Sequence, residues 1–298
     1  MVSNIVGNYL VENHVITLEQ FRDLSKEQRK VRVKLGLIAV AEGLMTQDEA
    51  DKVNRLQTVM DKRFGDIAIE KGYLTEGQVG ALLKKQGNAY LIFAQALENQ
   101  DLLTIEQLEQ YMIDFQRDNQ LTYSDMEDLK SDDVDRILPL YMPVGGEKYL
   151  NVVGTALRTL LRCVDTDIYP EKAYLTKQCE ANNGAVQKIE GEHNVTCAMV
   201  GRGQALLKTA SFFGKENFSE VNMEALDAIG ELLNCINGLY ATALSQGGVS
   251  MELYPPEFSD RLCRIRSEEM LVIPLHIMGQ KVYLAVAIDQ KVEMEQEA

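Results

Sequence analysis

The 298-residue chain has no apolar run long enough to cross a membrane. Its longest uninterrupted apolar stretch near the C-terminus, residues 270–275, is far shorter than the roughly 20 residues that a transmembrane helix needs. The first residues carry no basic segment before an apolar core and no small-residue cleavage site, so no secretory signal is predicted. We therefore expect a cytoplasmic protein.

Metal-binding and redox motifs are also missing. The five cysteines are an odd number without a Cys-x-x-Cys pair, and only three histidines are scattered among them. The residues are Cys163, Cys179, Cys197, Cys235 and Cys263, and His14, His193 and His276. This usage supports neither a zinc site nor a disulfide framework.

Positive charge is scarce. The chain has 30 Lys and Arg against 45 Asp and Glu, a formal net charge of −15. This balance disfavours non-specific binding to nucleic acid or to an anionic membrane. The hydrophobic fraction of 46% and the charged fraction of 25% are typical of globular proteins, and the length favours two domains.

A sequence repeat with a period of 29 residues occupies the first 120 residues. Its copies start at Ile5, Lys34, Arg63 and Ile92, and each has a Thr followed three residues later by Gln or Glu. These pairs are Thr17 and Gln20, Thr46 and Glu49, Thr75 and Gln78, and Thr104 and Gln107. This spacing is typical of a capping box, so each Thr is predicted to open a helix.

The segment before each Thr, such as residues 65–72, has apolar spacing suited to about two helical turns ended by a glycine. Each repeat is therefore predicted to be a helical hairpin, and residues 1–120 an all-α domain. Repeated hairpins that only bury one another's apolar faces are the alternative to a binding function.

The two middle repeats resemble the MshEN domain, the N-terminal domain of type II secretion and pilus ATPases. That family carries two tandem motifs that begin Arg-Leu-Gly and end in Gln, and residues 34–57 and 63–86 match their length and spacing. The matching positions are Lys34, Leu35, Gly36, Gly43 and Gln57 in the first motif, and Arg63, Phe64, Gly65, Gly72 and Gln86 in the second.

Some MshEN domains bind cyclic di-GMP, so the resemblance implies a site for this ligand on the matching residues. An Arg can bind a phosphate or a guanine edge through two parallel hydrogen bonds, and Gly allows close approach of backbone amides. This chain departs from the family in Lys34, which replaces Arg, and in small residues where the family has larger aliphatics. The small residues are Ala39, Ala50, Asn54 and Ala68.

Beyond an acidic linker predicted at residues 121–140, the pattern changes to mixed α and β. Residues 151–163 are predicted to form a helix. Residues 195–200 and 204–209 are predicted to form two strands joined by a Gly201–Gly203 turn. Residues 271–278 and 281–288 are predicted to form a hairpin with a Gly279-Gln280 loop. We therefore predict an α+β domain over residues 141–298.

A helix is predicted at residues 223–244 with two distinct faces. At 100° per residue, an apolar face gathers Ala225, Ile229, Leu232, Leu233, Ile236, Leu239, Tyr240 and Ala243. A narrow polar row on the opposite side contains Asp227, Glu231, Asn234, Gly238 and Ala241. The small residues in this row favour close approach by another surface, whereas the alternative is a solvated face.

The pattern Asp227-x-x-x-Glu231-x-x-Asn234, followed by Gly238 and later by Pro255-Pro256, resembles the CheC, CheX and FliY phosphatases, which act on the phosphorylated response regulator CheY. The resemblance covers roughly residues 145–290. It implies that Asn234 orients the attacking water, that Glu231 pairs with a Lys of the regulator, and that Asp227 assists docking. It also implies that the receiver supplies the Mg²⁺, so that this chain binds no metal or cofactor.

Only one copy of the pattern is visible, so the chain resembles CheX more than the two-site CheC, and the resemblance implies a homodimer. The leading hypothesis is thus a response-regulator phosphatase whose N-terminal module either binds cyclic di-GMP or docks a partner. The alternative is a non-catalytic scaffold that binds a receiver domain and a partner protein. Because the chain has no Gly-x-x-x-x-Gly-Lys-Ser/Thr phosphate loop, an export ATPase is disfavoured.

Overall fold

The computed structural model describes residues 1–28, 33–60 and 62–296. Contacts between residues divide it into two compact units, one of residues Val2–Asp133 and one that begins at Val134. Within the described residues, no helix is both long and apolar enough to span a bilayer.

The first unit is helical, as predicted. Its helices are α1 (Val2–Glu12), α2 (Leu18–Glu27), α3 (Leu35–Ala41), α4 (Gln47–Met60), α5 (Phe64–Glu70), α6 (Glu76–Lys84), α7 (Ala89–Asn99), α8 (Ile105–Asp118) and α9 (Tyr123–Lys130). Their grouping into four equivalent hairpins stays a prediction.

The predicted helix starts are confirmed. The Thr17 hydroxyl accepts a hydrogen bond from the Gln20 amide nitrogen at 3.2 Å, and the Gln20 side chain accepts from the Thr17 amide at 2.7 Å. The same two-way exchange is present at Thr75, Thr104 and Thr46. Each exchange satisfies two amide groups that a helix start otherwise leaves without partners.

The predicted glycine helix ends are confirmed as well. Gly43 follows α3 with φ +65°, and Gly72 follows α5 with φ +74°. The Gly43 amide donates to the Val40 carbonyl, and the next amide donates to the Ala39 carbonyl, both at 2.9 Å. This is a Schellman motif, which needs a left-handed residue at the position that glycine occupies.

The segment predicted as an acidic linker, residues 121–140, contains helical structure. Met126 and Leu129 of α9 are buried in the first unit. Along the sequence, the boundary between the two units falls after Asp133, inside the predicted segment. The chain continues with α10 (Val134–Ile137) and two short 3-10 helices, Leu138–Tyr141 and Glu147–Tyr149.

The second unit combines helices with one antiparallel sheet, as predicted for its class. Its longer helices are α11 (Leu150–Cys163), α12 (Leu207–Gly214) and α13 (Met223–Gln246). Its strands are β1 (Ile168–Pro170), β2 (Tyr174–Ala181), β3 (Asn183–Gly191), β4 (Val195–Gly201), β5 (Met251–Leu253), β6 (Glu257–Ser259), β7 (Cys263–Ile277), β8 (Gln280–Ile288) and β9 (Val292–Gln296).

Helix α13 lies over the end of the sheet formed by β4, β3 and β5. The strand order is β1-β7-β8-β4-β3-β5, with β2 and β9 also paired to the long β7, and β6 paired to β3. Helix α13 packs against β3, β4, β5 and β6, and α11 and α12 pack beside it. The buried apolar residues of α13, which lie between Ala225 and Tyr240, are therefore enclosed by the sheet and the neighbouring helices.

The strand predicted at residues 204–209 is wrong. This stretch forms a turn and the start of α12, and β4 pairs with β3 on one side and with β8 on the other. Since both edges of β4 already have partners, no edge remains for the predicted strand. The turn is instead tied to the start of β3, because the Asn183 side chain donates to the Gly203 carbonyl at 2.9 Å.

The C-terminal hairpin is confirmed, with its loop one residue earlier than predicted. Ile277 pairs with Gln280 in the β7–β8 ladder, so the two loop residues are Met278 and Gly279. Both have positive φ, +49° and +74°. Positive φ at both central residues is the requirement of the tight turn that matches the twist of a hairpin.

Candidate functional site

The central helix of the site, α13, begins where its sequence predicts. The Asn222 side chain accepts a hydrogen bond from the Ala225 amide at 3.0 Å and caps the helix. Burial runs from Ala225 to Tyr240. Two residues predicted on the apolar face, Leu239 and Ala243, are exposed instead. Ala243 lies beyond Tyr240, the last buried residue of the helix.

The predicted polar row faces solvent. Asp227, Glu231 and Asn234 are exposed, whereas Gly238 and Ala241 are partly exposed. Among the residues that the structure describes, neither carboxylate of the row has an ion-pair partner in this chain. Both carboxylates are therefore available to a cationic group of another molecule.

The side-chain amide of Asn234 is hydrogen-bonded to a residue of the sheet. Its Oδ1 accepts a hydrogen bond at 3.0 Å from Nε2 of Gln187, a buried residue in the middle of β3. Sequence reasoning missed Gln187, since it lies 47 residues earlier in the chain. The sequence of β3 mixes polar and apolar residues, so it offered no clear signal that Gln187 is buried.

The loop between β5 and β6 borders the row. The Tyr254 amide donates to the Lys188 carbonyl at 3.0 Å, which attaches the loop to β3. Gly230 of α13 lies so close to this loop and to β6 that an added Cβ would be 3.0 Å from Pro256 of the loop and 2.5 Å from a ring carbon of Phe258 in β6. Glycine at this position therefore lets the proline-containing loop lie directly beside α13.

A shallow cavity of about 570 Å³ lies at the N-terminal end of the row. Its lining mixes carboxylates with apolar side chains: Glu216, Phe218, Met223, Glu224, Asp227 and Phe258. Met223 is 50% exposed at its edge. This combination suits a partner surface that carries positive charge next to apolar groups.

A second set of predicted residues converges in the first unit, at the starts of α3 and α5. Lys34 and Arg63 are the residues immediately before these helices, and both side chains are exposed. An added Cβ on Gly36 would lie 2.9 Å from the Phe64 ring, and one on Gly65 would lie 3.6 Å from Leu35. The two motifs therefore pack against each other through equivalent positions.

The glutamine that ends each motif donates a hydrogen bond to the backbone just before the other motif. Gln57 donates from Nε2 to the carbonyl of Lys62, the residue before Arg63, at 3.4 Å. Gln86 donates to the carbonyl of Val33, the residue before Lys34, at 2.9 Å. This exchange makes the pair of motifs nearly symmetric around the basic residues.

Gly43 and Gly72 do not lie with Lys34 and Arg63 at the helix starts. They end the seven-residue helices α3 and α5, about 10 Å from the basic residues at the helix starts. Their part in the first unit is the helix-ending turn. The small residues Ala39, Ala50 and Ala68 are buried, so they belong to the core between the helices.

Residues 184–276 match the family model described as chemotaxis phosphatase CheX, and this region is a CheX family domain. No curated protein matches the chain. Among solved structures, a CheC-like superfamily protein from Shewanella sp. PV-4 is 16% identical, with a TM-score of 0.42. The match covers 46% of this chain and 94% of that one.

Two further solved structures each match a little under half of this chain. A chemotaxis protein CheX from Desulfovibrio desulfuricans is 18% identical, covers 48% of this chain and 99% of that one, and has a TM-score of 0.41. A chain in the structure of a CheX–CheY–BeF3–Mg²⁺ complex from Borrelia burgdorferi is 18% identical, with a TM-score of 0.34. That match covers 46% of this chain and 95% of that one.

Proposed function

We propose that the second unit, whose residues 184–276 match the chemotaxis phosphatase family, hydrolyses the aspartyl phosphate of a CheY-like response regulator. One observation carries the proposal: within the matched region, Asp227, Glu231 and Asn234 form an exposed row on α13. The row is the surface that α13 offers to a partner.

Asn234 is proposed to place the attacking water. In the reaction, the water oxygen forms a bond to phosphorus while the bond to the aspartyl oxygen breaks, so that the regulator's carboxylate leaves and a water proton passes to solvent. Holding the water in line with the bond that breaks lowers the barrier through positioning. An amide suits this task because it is neutral throughout the physiological pH range.

The two carboxylates are proposed to dock the regulator. Glu231 lies about one helical turn before Asn234, so a Lys of the regulator that pairs with Glu231 would bring the phosphoryl group to the amide. Asp227 adds a second negative charge one turn further along the same face. The Mg²⁺ of the reaction is proposed to come with the receiver domain, as a component of the substrate.

The test is the decay of a phosphorylated receiver domain with Mg²⁺, followed with and without catalytic amounts of the full chain. Acceleration that disappears in Asn234→Ala supports the phosphatase. Binding of the receiver without acceleration, across a panel of CheY-like receivers, would instead support a non-catalytic scaffold.

For the first unit, we propose a binding site for cyclic di-GMP at the starts of α3 and α5. The observation in its favour is the reciprocal hydrogen bonding of Gln57 and Gln86, which leaves exposed Lys34 and Arg63 at equivalent places. A cyclic dinucleotide has two equivalent halves, which matches such a paired arrangement. Titration calorimetry of the full chain with cyclic di-GMP tests the site.

A further inference from the structure

Gln187 is a polar side chain in the core of the second unit. It is 1% exposed, and its neighbours in β3, Val186 and Ile189, are buried apolar residues. Burying an amide in such a place is unfavourable unless its hydrogen bonds are satisfied. Gln187 makes three side-chain hydrogen bonds, so both of its terminal atoms have partners, and one of the three partners is Asn234.

The backbone decides which way the Gln187 amide faces. The carbonyl oxygen of Tyr254 lies 2.9 Å from one terminal atom of Gln187. Because a carbonyl can only accept, that atom of Gln187 is the donor Nε2. The other terminal atom is then Oε1, and it accepts from Nδ2 of the fully buried Asn237 at 2.8 Å.

The orientation of Asn234 follows from that of Gln187. The second hydrogen of Nε2 points at Asn234 over 3.0 Å, so the Asn234 atom that faces inward is the acceptor Oδ1. The amide nitrogen of Asn234 then faces solvent on the exposed side of α13. Through these two successive hydrogen bonds, the fixed orientation of the Tyr254 carbonyl determines the orientation of the exposed Asn234 amide.

We propose that Gln187 is a positioning residue that turns the amide nitrogen of Asn234 outward, so that Asn234 acts as a hydrogen-bond donor toward the attacking water or the phosphoryl group. This inference rests on the proposed phosphatase function. A water that accepts from Asn234 Nδ2 through one lone pair keeps the other free to attack phosphorus. Without Gln187, the amide of Asn234 can rotate and present its oxygen instead.

The first test observes the orientation without any activity. The side-chain amide signals of Asn234 in ¹⁵N-labelled full-length protein are identified by their loss in Asn234→Asp. We expect these signals to move toward those of a solvated asparagine in Gln187→Met, which removes the donor at similar size. Gln187→Glu, which faces Asn234 with acceptors only, should turn the nitrogen inward and protect it from exchange. Unchanged signals in both variants would overturn the proposal.

The second test measures catalysis. In Gln187→Met, kcat should fall about ten- to a hundredfold while KM for the phosphorylated receiver stays within about twofold, because docking residues are untouched. Adding Gln187→Met to Asn234→Ala should slow the reaction no further, since Gln187 acts through Asn234. If the rate reductions of the two single variants multiply in the double variant, the proposal is overturned. Asn234→Asp, which removes the donor, should be as slow as Asn234→Ala.

A matched control separates positioning from loss of stability. Val186 is next to Gln187 in β3, but it belongs to the apolar cluster on the other face of the sheet. Val186→Ala should lower the unfolding midpoint while leaving kcat per folded molecule unchanged. If kcat falls equally in Val186→Ala and Gln187→Met, Gln187 is only structural. If the wild-type chain accelerates no receiver, the phosphatase proposal fails, and the amide signals still decide the orientation of Asn234.

Discussion

Gly36 of α3 lies directly against the ring of Phe64 of α5, so close that an added Cβ would be 2.9 Å from the ring edge. Both residues are buried. They occupy neighbouring positions of two sequence motifs, and the contact joins the helix starts that carry Lys34 and Arg63. The glycine thus allows the two motifs to approach.

Gly36→Val should destabilise the first unit, because the added atoms overlap the Phe64 ring in a packed core. We expect a loss of about 1–3 kcal/mol, measured by urea unfolding of the full chain. Gly80 is the matched control, since it lies in α6 with no atom near an added Cβ. Gly80→Ala should raise the stability by up to about 1 kcal/mol. Equal effects of the two changes would contradict the role of the Gly36–Phe64 contact.

Asn234→Ala should reduce the rate of receiver dephosphorylation by about a hundredfold or more, because it removes the group proposed to position the attacking water. The measurement is single-turnover decay of the phosphorylated receiver at saturating enzyme. Thr242→Ala, on the exposed part of α13 beyond the row, should leave the rate unchanged. A slowed Thr242→Ala would show that the rate responds to any change on this helix.

Glu231→Lys should weaken binding of the regulator, because it replaces the proposed attraction to a Lys of the regulator by a repulsion. We expect KM to rise about tenfold or more, with a smaller change in kcat, and the salt dependence of KM to decrease. Glu268→Lys makes the same change of charge on β7, where Glu268 is 85% exposed. An equal rise in KM for Glu268→Lys would assign the effect to overall charge alone.

Arg63→Ala should abolish binding of cyclic di-GMP, and Lys34→Arg should strengthen it about three- to tenfold. The reason for the second effect is that a guanidinium binds a phosphate or guanine edge with two parallel hydrogen bonds, whereas an ammonium is a point charge. Titration calorimetry measures both. Arg22→Ala in α2 serves as a control for general loss of positive charge. Retained binding in Arg63→Ala would exclude the proposed site.

The ionised carboxylate of Glu171 should stabilise the second unit, and this stabilisation should be lost in acid. Burial opposes ionisation, but hydrogen bonds from Lys281 and His276 outweigh it and lower the pKa of Glu171 below its usual 4.5. A lowered pKa in the folded state means that the stabilisation is present above pH 4.5 and is lost as the pH falls through the folded pKa. Glu171→Gln should therefore reduce the fall in unfolding midpoint between pH 5 and pH 3. An unaltered pH dependence would show that Glu171 contributes little.

Local features of the first unit could be predicted from sequence. The Thr caps at Thr17 and Thr75 and the glycine ends at Gly43 and Gly72 depend only on hydrogen bonds within four or five residues. Such contacts form wherever the local pattern occurs. The reciprocal bonds of Gln57 and Gln86 could not be predicted in the same way, because Gln86 reaches a carbonyl 53 residues earlier.

In the second unit, the sequence by itself determined helix α13 and its exposed row of Asp227, Glu231 and Asn234, since a period of 3.6 residues specifies which side chains share a face. Only the tertiary structure decided that residues 204–209 form no strand, because the two partners of β4 come from distant parts of the chain. It also decided the direction of the Asn234 amide. That direction depends on Gln187 and on the Tyr254 carbonyl, which meet Asn234 only when the sheet packs on α13.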